Sequence, residues 1–151
     1  MQSILVIHGP NLNLLGSREP EIYGKETLNN INASLLKNAR KAKLNIRFFQ
    51  SNHEGKIVEA IQKALKKIDL IILNPGGLTH SSVCIRDALL ATKIPCIEVH
   101  LSNVYKREEF RRESLISDIA IGTIIGFGSN SYLLALTAAA DFLKSKKVPE
   151  K

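Results

Sequence analysis

Two runs of four aliphatic residues, Ile4-Leu5-Val6-Ile7 and Leu70-Ile71-Ile72-Leu73, contain no polar position at all. A strand with one wet face alternates polar and apolar residues. These runs do not alternate, and they are too short to be helices, so they predict strands buried on both faces. Each stops abruptly in turn chemistry, at His8-Gly9-Pro10 and at Asn74-Pro75-Gly76-Gly77. Burial on both faces demands a parallel sheet with helices on either side.

The rest of the chain supplies the partners. Ser3 to Ile7 is the first strand, Ile46 to Gln50 the second, Leu70 to Leu73 the third, Pro95 to Val99 the fourth and Ile119 to Ile125, with Gly122 inside, the fifth. Thr27 is placed to cap a helix over Leu28 to Lys41, with Leu28, Ile31, Leu35 and Ala39 on one face. Asn52 is expected to cap a helix reaching about Lys67, with Ile57, Val58, Ile61 and Leu65 inward. A further helix runs from about Ser82 to Thr92, and a last one starts at Ser129 or Ser131 and ends near Leu143. This β-loop-α repetition predicts an α/β, flavodoxin-like three-layer sandwich with a five-stranded parallel sheet of order 2-1-3-4-5. At 151 residues it reads as one domain, 1–151, with a frayed basic tail over 144–151.

The segment from His8 to Gly24 is too long for an idle connection, with three glycines and two prolines in seventeen residues. Its leucines, with Ile22 and Tyr23, are too apolar to leave in water, so an ordered loop is expected, either active or simply packed on its own leucines. Ligands of doubly wound sheets bind beyond the carboxyl ends of the strands, where the strand order reverses. That rule gathers this loop, the segment Asn74 to Ser82 and the segment Glu98 to Asn103 at one edge. Asn11, Arg18, Tyr23, Asn74, His80, Glu98, His100, Ser102 and Arg111 would then converge on an acid/base site. Glu98 and His100, two apart on a strand, point to one face, and Glu98 could not be buried unpaired without a large cost.

Other chemistries lack their signatures. There is no Walker sequence, and Gly126-Phe127-Gly128-Ser129-Asn130-Ser131 lacks the third glycine of a dinucleotide fingerprint, so it reads as a close-packed turn. His8, His53, His80 and His100 show no metal-ligand spacing, no Ser sits in a GxSxG elbow, and no Lys interrupts an apolar strand. The net charge of +7 favours an anionic partner. Yet the basic residues are spread over what read as solvated helix faces, and aromatics are only 5%, which argues against a nucleic-acid surface. Cys84 and Cys96 read as small buried hydrophobes. No signal peptide precedes Ile4 and no apolar run approaches a membrane span, so a cytoplasmic location without membrane attachment is expected. A basic, non-catalytic module of the same shape, binding a nucleotide, flavin or nucleic acid, is the alternative reading. The spread charge, the missing fingerprint and the scarce aromatics count against it.

The motifs, taken together, resemble a known family. Gly9-Pro10-Asn11-Leu12-Asn13-Leu14-Leu15-Gly16 with Arg18-Glu19-Pro20 and Tyr23-Gly24, then Asn74 to Ser82, Glu98 to Asn103 and Arg107-Glu108-Glu109-Phe110-Arg111, are similar to the four signatures of type II 3-dehydroquinate dehydratase. The resemblance covers nearly the whole chain in order. It implies a hydro-lyase of the shikimate pathway, which leads to chorismate and the aromatic amino acids. The reaction would be anti elimination of water from 3-dehydroquinate, through an enolate, to 3-dehydroshikimate, with no cofactor and no metal. By the same resemblance Tyr23 is the base, activated by Arg18, and His100 is the acid, assisted by Glu98. Asn11 would hold a water against the enolate oxygen. Asn74, His80 and Arg111 would bind substrate hydroxyls, and the Leu101 and Ser102 backbone its carboxylate. Asp87 would reach a neighbouring subunit's site in a homododecamer, a tetramer of trimers. A guanidinium about 4 Å from a phenol, at an effective dielectric near 20, is worth roughly 4 kcal/mol. That is about three pKa units, enough to bring a tyrosine near neutrality.

Overall fold

A computed structural model describes residues 1–17 and 19–146, with the backbone alone at Tyr23. The elements follow in chain order: β1 (Ser3–His8), α1 (Pro20–Tyr23), α2 (Leu28–Lys41), β2 (Asn45–Gln50), α3 (Glu54–Ala64), β3 (Leu70–Asn74), α4 (Val83–Thr92), β4 (Cys96–His100), β5 (Gly122–Ile125) and α5 (Asn130–Ser145). All strand pairs are parallel and the sheet order is β2-β1-β3-β4-β5, as the apolar runs require. The central strands β3 and β4 are buried at every position. The edge strands β2 and β5 are not, so burial on both faces holds only for the middle of the sheet.

Two cores flank the sheet. Ile4, Val6, Leu70, Ile72, Ile97 and Val99 face α2 and α5, while Leu5, Ile7, Ile71, Leu73 and Cys96 face α3 and α4. Fully burying one such side chain is worth about 1.5–3 kcal/mol. Helix α2 forms as its sequence dictates. Thr27 accepts from the Asn30 N–H while the Asn30 side chain accepts from the Thr27 N–H, a reciprocal cap, and Ile31, Leu35 and Ala39 are buried below it.

Several expectations fail for identifiable reasons. Asn52 does not cap α3. Its Oδ1 accepts instead from the Asn11 N–H at 2.9 Å and from Gln50 Nε2 at 3.2 Å, which pins the loop after β1, and His53 stands at the cap position. Leu65 is exposed rather than inward, because α3 ends at Ala64 and Lys66 turns to φ 62°. β5 begins at Gly122, not Ile119. The Ser114 hydroxyl accepts the N–H groups of Ile116 and Ser117, and the carbonyl of Ile116 accepts those of Ile119 and Ala120, which winds the segment into a turn. α5 continues to Ser145, and no side chain caps its start. Cys84 is exposed on α4, whereas Cys96 is buried. In the long first loop Leu12 and Leu15 are buried, but Leu14 and Ile22 are exposed. Residues 147–151 of the expected tail lie outside the described residues. Among the described residues no helix is long and apolar enough to cross a membrane.

The loops after β1 and β3 cross at van der Waals distance. A Cβ on Gly9 would lie 2.6 Å from the Pro75 carbonyl group, so no other residue fits there. The Gly9 N–H donates to the Asn74 carbonyl at 2.7 Å, and Gly76 sits at φ 57° against Pro10. Glycine thus lets the first two strands of the switch point open into one crevice.

Candidate active site

The crevice is a pocket of about 160 Å³ at the carboxyl edge of the sheet. It brings together Asn11, Asn74, His80, His100, Leu101, Ser102 and Arg111, seven of the residues singled out in the sequence. Arg107 lines it as well, donating to the Ser102 hydroxyl at 3.3 Å, and among the described residues no carboxylate does. A cavity with two guanidiniums, two imidazoles and no acid among its lining residues suits an anion.

Glu98 lies beneath His100, on the side facing α3 and α4. His100 Nε2 donates to Glu98 Oε1 at 2.8 Å, as their spacing on one strand face required. The carboxylate also accepts from the hydroxyls of Thr79 and Ser117 and from Ser114 Oγ at 2.8 and 3.0 Å. Burial alone would raise the Glu98 pKa. The hydrogen bonds from His100, Ser117 and Thr79 outweigh it and bring the pKa down to about 2. Glu98 is therefore a buried, ionised carboxylate. It fixes the His100 ring with Nε2–H inward, leaving Nδ1 as the nitrogen free to act.

The same hydroxyls fasten the segment that carries the arginines. Ser114 and Ser117 hold it to Glu98, the Leu115 N–H donates to the Thr79 carbonyl, and His80 Nδ1 donates to the Glu113 carbonyl at 2.6 Å. Arg111 is oriented by Glu108, which accepts from its Nε at 2.6 Å. The arrangement offers a histidine held by a carboxylate, with polar donors around it, in an anion-attracting pocket. Among the described residues no three metal-ligating side chains come together.

A family model described as dehydroquinase class II matches residues 2–140. The chain belongs to the class II dehydroquinase family. It is accordingly an enzyme of the hydro-lyase class, a type II 3-dehydroquinate dehydratase. It is 53% identical over 146 residues to the 3-dehydroquinate dehydratase of Prochlorococcus marinus strain MIT 9301, covering 97% of this chain and 99% of that one. It is 57% identical over 143 residues to the enzyme of that name from Francisella tularensis subsp. novicida strain U112, covering 95% and 97%. The crystal structure of type II dehydroquinase from Butyrivibrio crossotus DSM 2876 superposes with a TM-score of 0.89 at 43% identity, covering 91% of this chain and 96% of that one.

Not every expected site residue of this dehydroquinase joins the pocket. Arg18 lies outside the described residues, and of Tyr23, the last residue of α1, only the backbone is described. Asp87 is exposed on α4 and is not part of the pocket lining of its own chain. Sequence reasoning missed the hydroxyls of Thr79, Ser114 and Ser117, since a serine carries no signal of what it will face. It gave Arg107 no role, although its spacing of four from Arg111 was in view.

Proposed function

We propose that the pocket binds 3-dehydroquinate and that the residues around it carry out an anti elimination of water through an enolate, giving 3-dehydroshikimate on the route to chorismate and the aromatic amino acids. The observation that carries this reading is His100, held by an ionised Glu98 at the wall of a cation-lined pocket, in a chain of this family. Tyr23, made acidic by Arg18, takes the proton beside the ketone. The electron pair moves into the enolate, whose oxygen meets a water held by Asn11. Hydroxide is a poor leaving group, so the enolate collapses only as His100 Nδ1 hands a proton to the departing oxygen. Water leaves, and Glu98 steadies the ring through the transfer. Asn74, His80 and Arg111 bind hydroxyls, and the backbone at Leu101 and Ser102 takes the carboxylate. Neither a metal nor an imine has a part in these steps, so activity should survive EDTA and borohydride.

The single chain is proposed as one catalytic domain acting in a homododecamer, a tetramer of trimers. In support, Asp87 stands on an exposed face of α4 with Val83 and Leu90, both half exposed, outside the pocket lining of its own chain. Light scattering tests the assembly, and an active monomer would remove Asp87 from the site. The reaction is tested by adding dehydroquinate and following the ultraviolet absorbance of the conjugated enone product. Tyr23→Phe should lower kcat on the order of 10²–10⁴-fold. A variant with near-normal kcat takes Tyr23 out of the mechanism.

A further inference from the structure

Thr27 caps α2 and Ser82 caps α4, each accepting a backbone N–H of its own helix. Asn52 stands just past β2, where its side chain could do the same for α3, but no side chain caps that helix. Asn52 crosses instead to the loop after β1, where its Oδ1 accepts from the Asn11 N–H at 2.9 Å. Gln50, the last residue of β2 and the register partner of His8, completes a clamp. Its Nε2 donates to the same Asn52 oxygen at 3.2 Å and to the Gly9 carbonyl at 3.3 Å. An amide oxygen accepts and never donates, so these two donors settle which end of the Asn52 carboxamide faces the loop.

Asn11 needs such a hold. Its backbone is left-handed, φ 69° and ψ −5°, a conformation that asparagine visits more readily than most residues but that still costs an L residue energy. Its carbonyl accepts from the Leu14 N–H at 3.0 Å, and two residues earlier the Gly9 N–H is tied to the Asn74 carbonyl. With its N–H on Asn52 and its carbonyl on Leu14, both backbone torsions of Asn11 are held. The direction in which its Cβ leaves the chain is then fixed too. Asn11 lines the pocket together with His100, and among the described residues its carboxamide has no hydrogen-bond partner.

We propose that Asn52 is a positioning residue for the elimination. By holding the Asn11 N–H it keeps Asn11 in the left-handed conformation from which its carboxamide serves the enolate oxygen. This rests on the reading of the pocket as the dehydroquinate site, with Asn11 holding the water at that oxygen. The enolate exists only after the proton has been removed, so Asn52 acts on the chemical step and not on substrate binding.

The test is a double-mutant cycle between Asn52→Ala and Asn11→Ala, with kcat and KM read separately and melting temperatures used to choose an assay temperature at which all variants are folded. Asn52→Ala should lower kcat about fivefold and move KM less than about twofold. Fivefold is about 1 kcal/mol, the net worth of one hydrogen bond. In the Asn11→Ala background the same change should cost less than about twofold in kcat, because the group it positions is gone. Asn52→Asp, whose carboxylate accepts from both the Asn11 N–H and Gln50 Nε2, should keep kcat within about twofold of the native value. Equal losses in both backgrounds, a loss carried by KM with native kcat, or an Asn52→Asp enzyme as slow as Asn52→Ala overturns the positioning role, while an active native enzyme leaves the functional reading standing. A native enzyme that does not convert dehydroquinate takes down both.

Discussion

Glu98 and His8 are both buried, titratable and placed beside the same pocket, but on opposite faces of the sheet, and one is ionised while the other is neutral. The difference lies in what surrounds them. Glu98 receives hydrogen bonds from His100 and from the hydroxyls of Thr79, Ser114 and Ser117, enough donors to hold a charge that burial alone would discharge. Among the described residues the partners given to His8 are all neutral, Asn32, Tyr132 and the stacked Phe48 ring, so nothing compensates a buried imidazolium and the ring stays uncharged. A site that moves a proton needs the first kind of cluster.

If the clusters differ in this way, removing the acid should break catalysis at one step only. His100→Ala should slow product formation on the order of 10²–10⁴-fold, with a far smaller effect on exchange of the substrate's labile carbon-bound proton with solvent deuterium. Equal losses in both would mean that His100 acts at proton removal, and the assignment of the ionised cluster to hydroxide departure would fall.

Acid separates the two clusters by pH window. The unfolded chain takes a proton on His8 near its ordinary 6.5, the folded one near 4, so that stability is complete above about 6.5 and drains away as pH falls towards 4. For Glu98 the same loss runs from about 4.5 down to about 2. Each window is worth on the order of 3 kcal/mol. Urea unfolding across pH should therefore show His8→Gln flattening only the upper window and Glu98→Gln only the lower. A native enzyme of constant stability from pH 7 to 4.5 would contradict a neutral, buried His8.

Smaller changes grade the donors. Ser117→Ala removes one hydrogen bond to a charged group, about 1.5–3 kcal/mol, and should move the acid unfolding midpoint upward. Smallest of all, His8→Gln at pH 7 preserves the pattern of donor and acceptor, and its cost in stability should stay under about 1.5 kcal/mol, read from the same urea curves.

Much of this was legible in the chain. The short aliphatic runs of β1 and β3, each bounded by Gly and Pro, read as central parallel strands. Thr27 followed by Ile31, Leu35 and Ala39 defines α2 from local chemistry, and the period of two on β4 puts Glu98 and His100 on one face. Those features depend on neighbours a few residues away, and the motifs that mark the family are runs of the same local kind. The tertiary structure decided what long-range partners decide. Asn52 abandoned its helix for the backbone of Asn11, forty-one residues away in sequence, and Ser114 and Ser117 wound the approach to β5 into a turn because Glu98 required their hydroxyls. Tyr132 met His8 across a separation of 124 residues. A side chain's intrinsic preference is fixed by its own chemistry, but the charge it carries when buried depends on which donors the fold brings within about 3 Å of it.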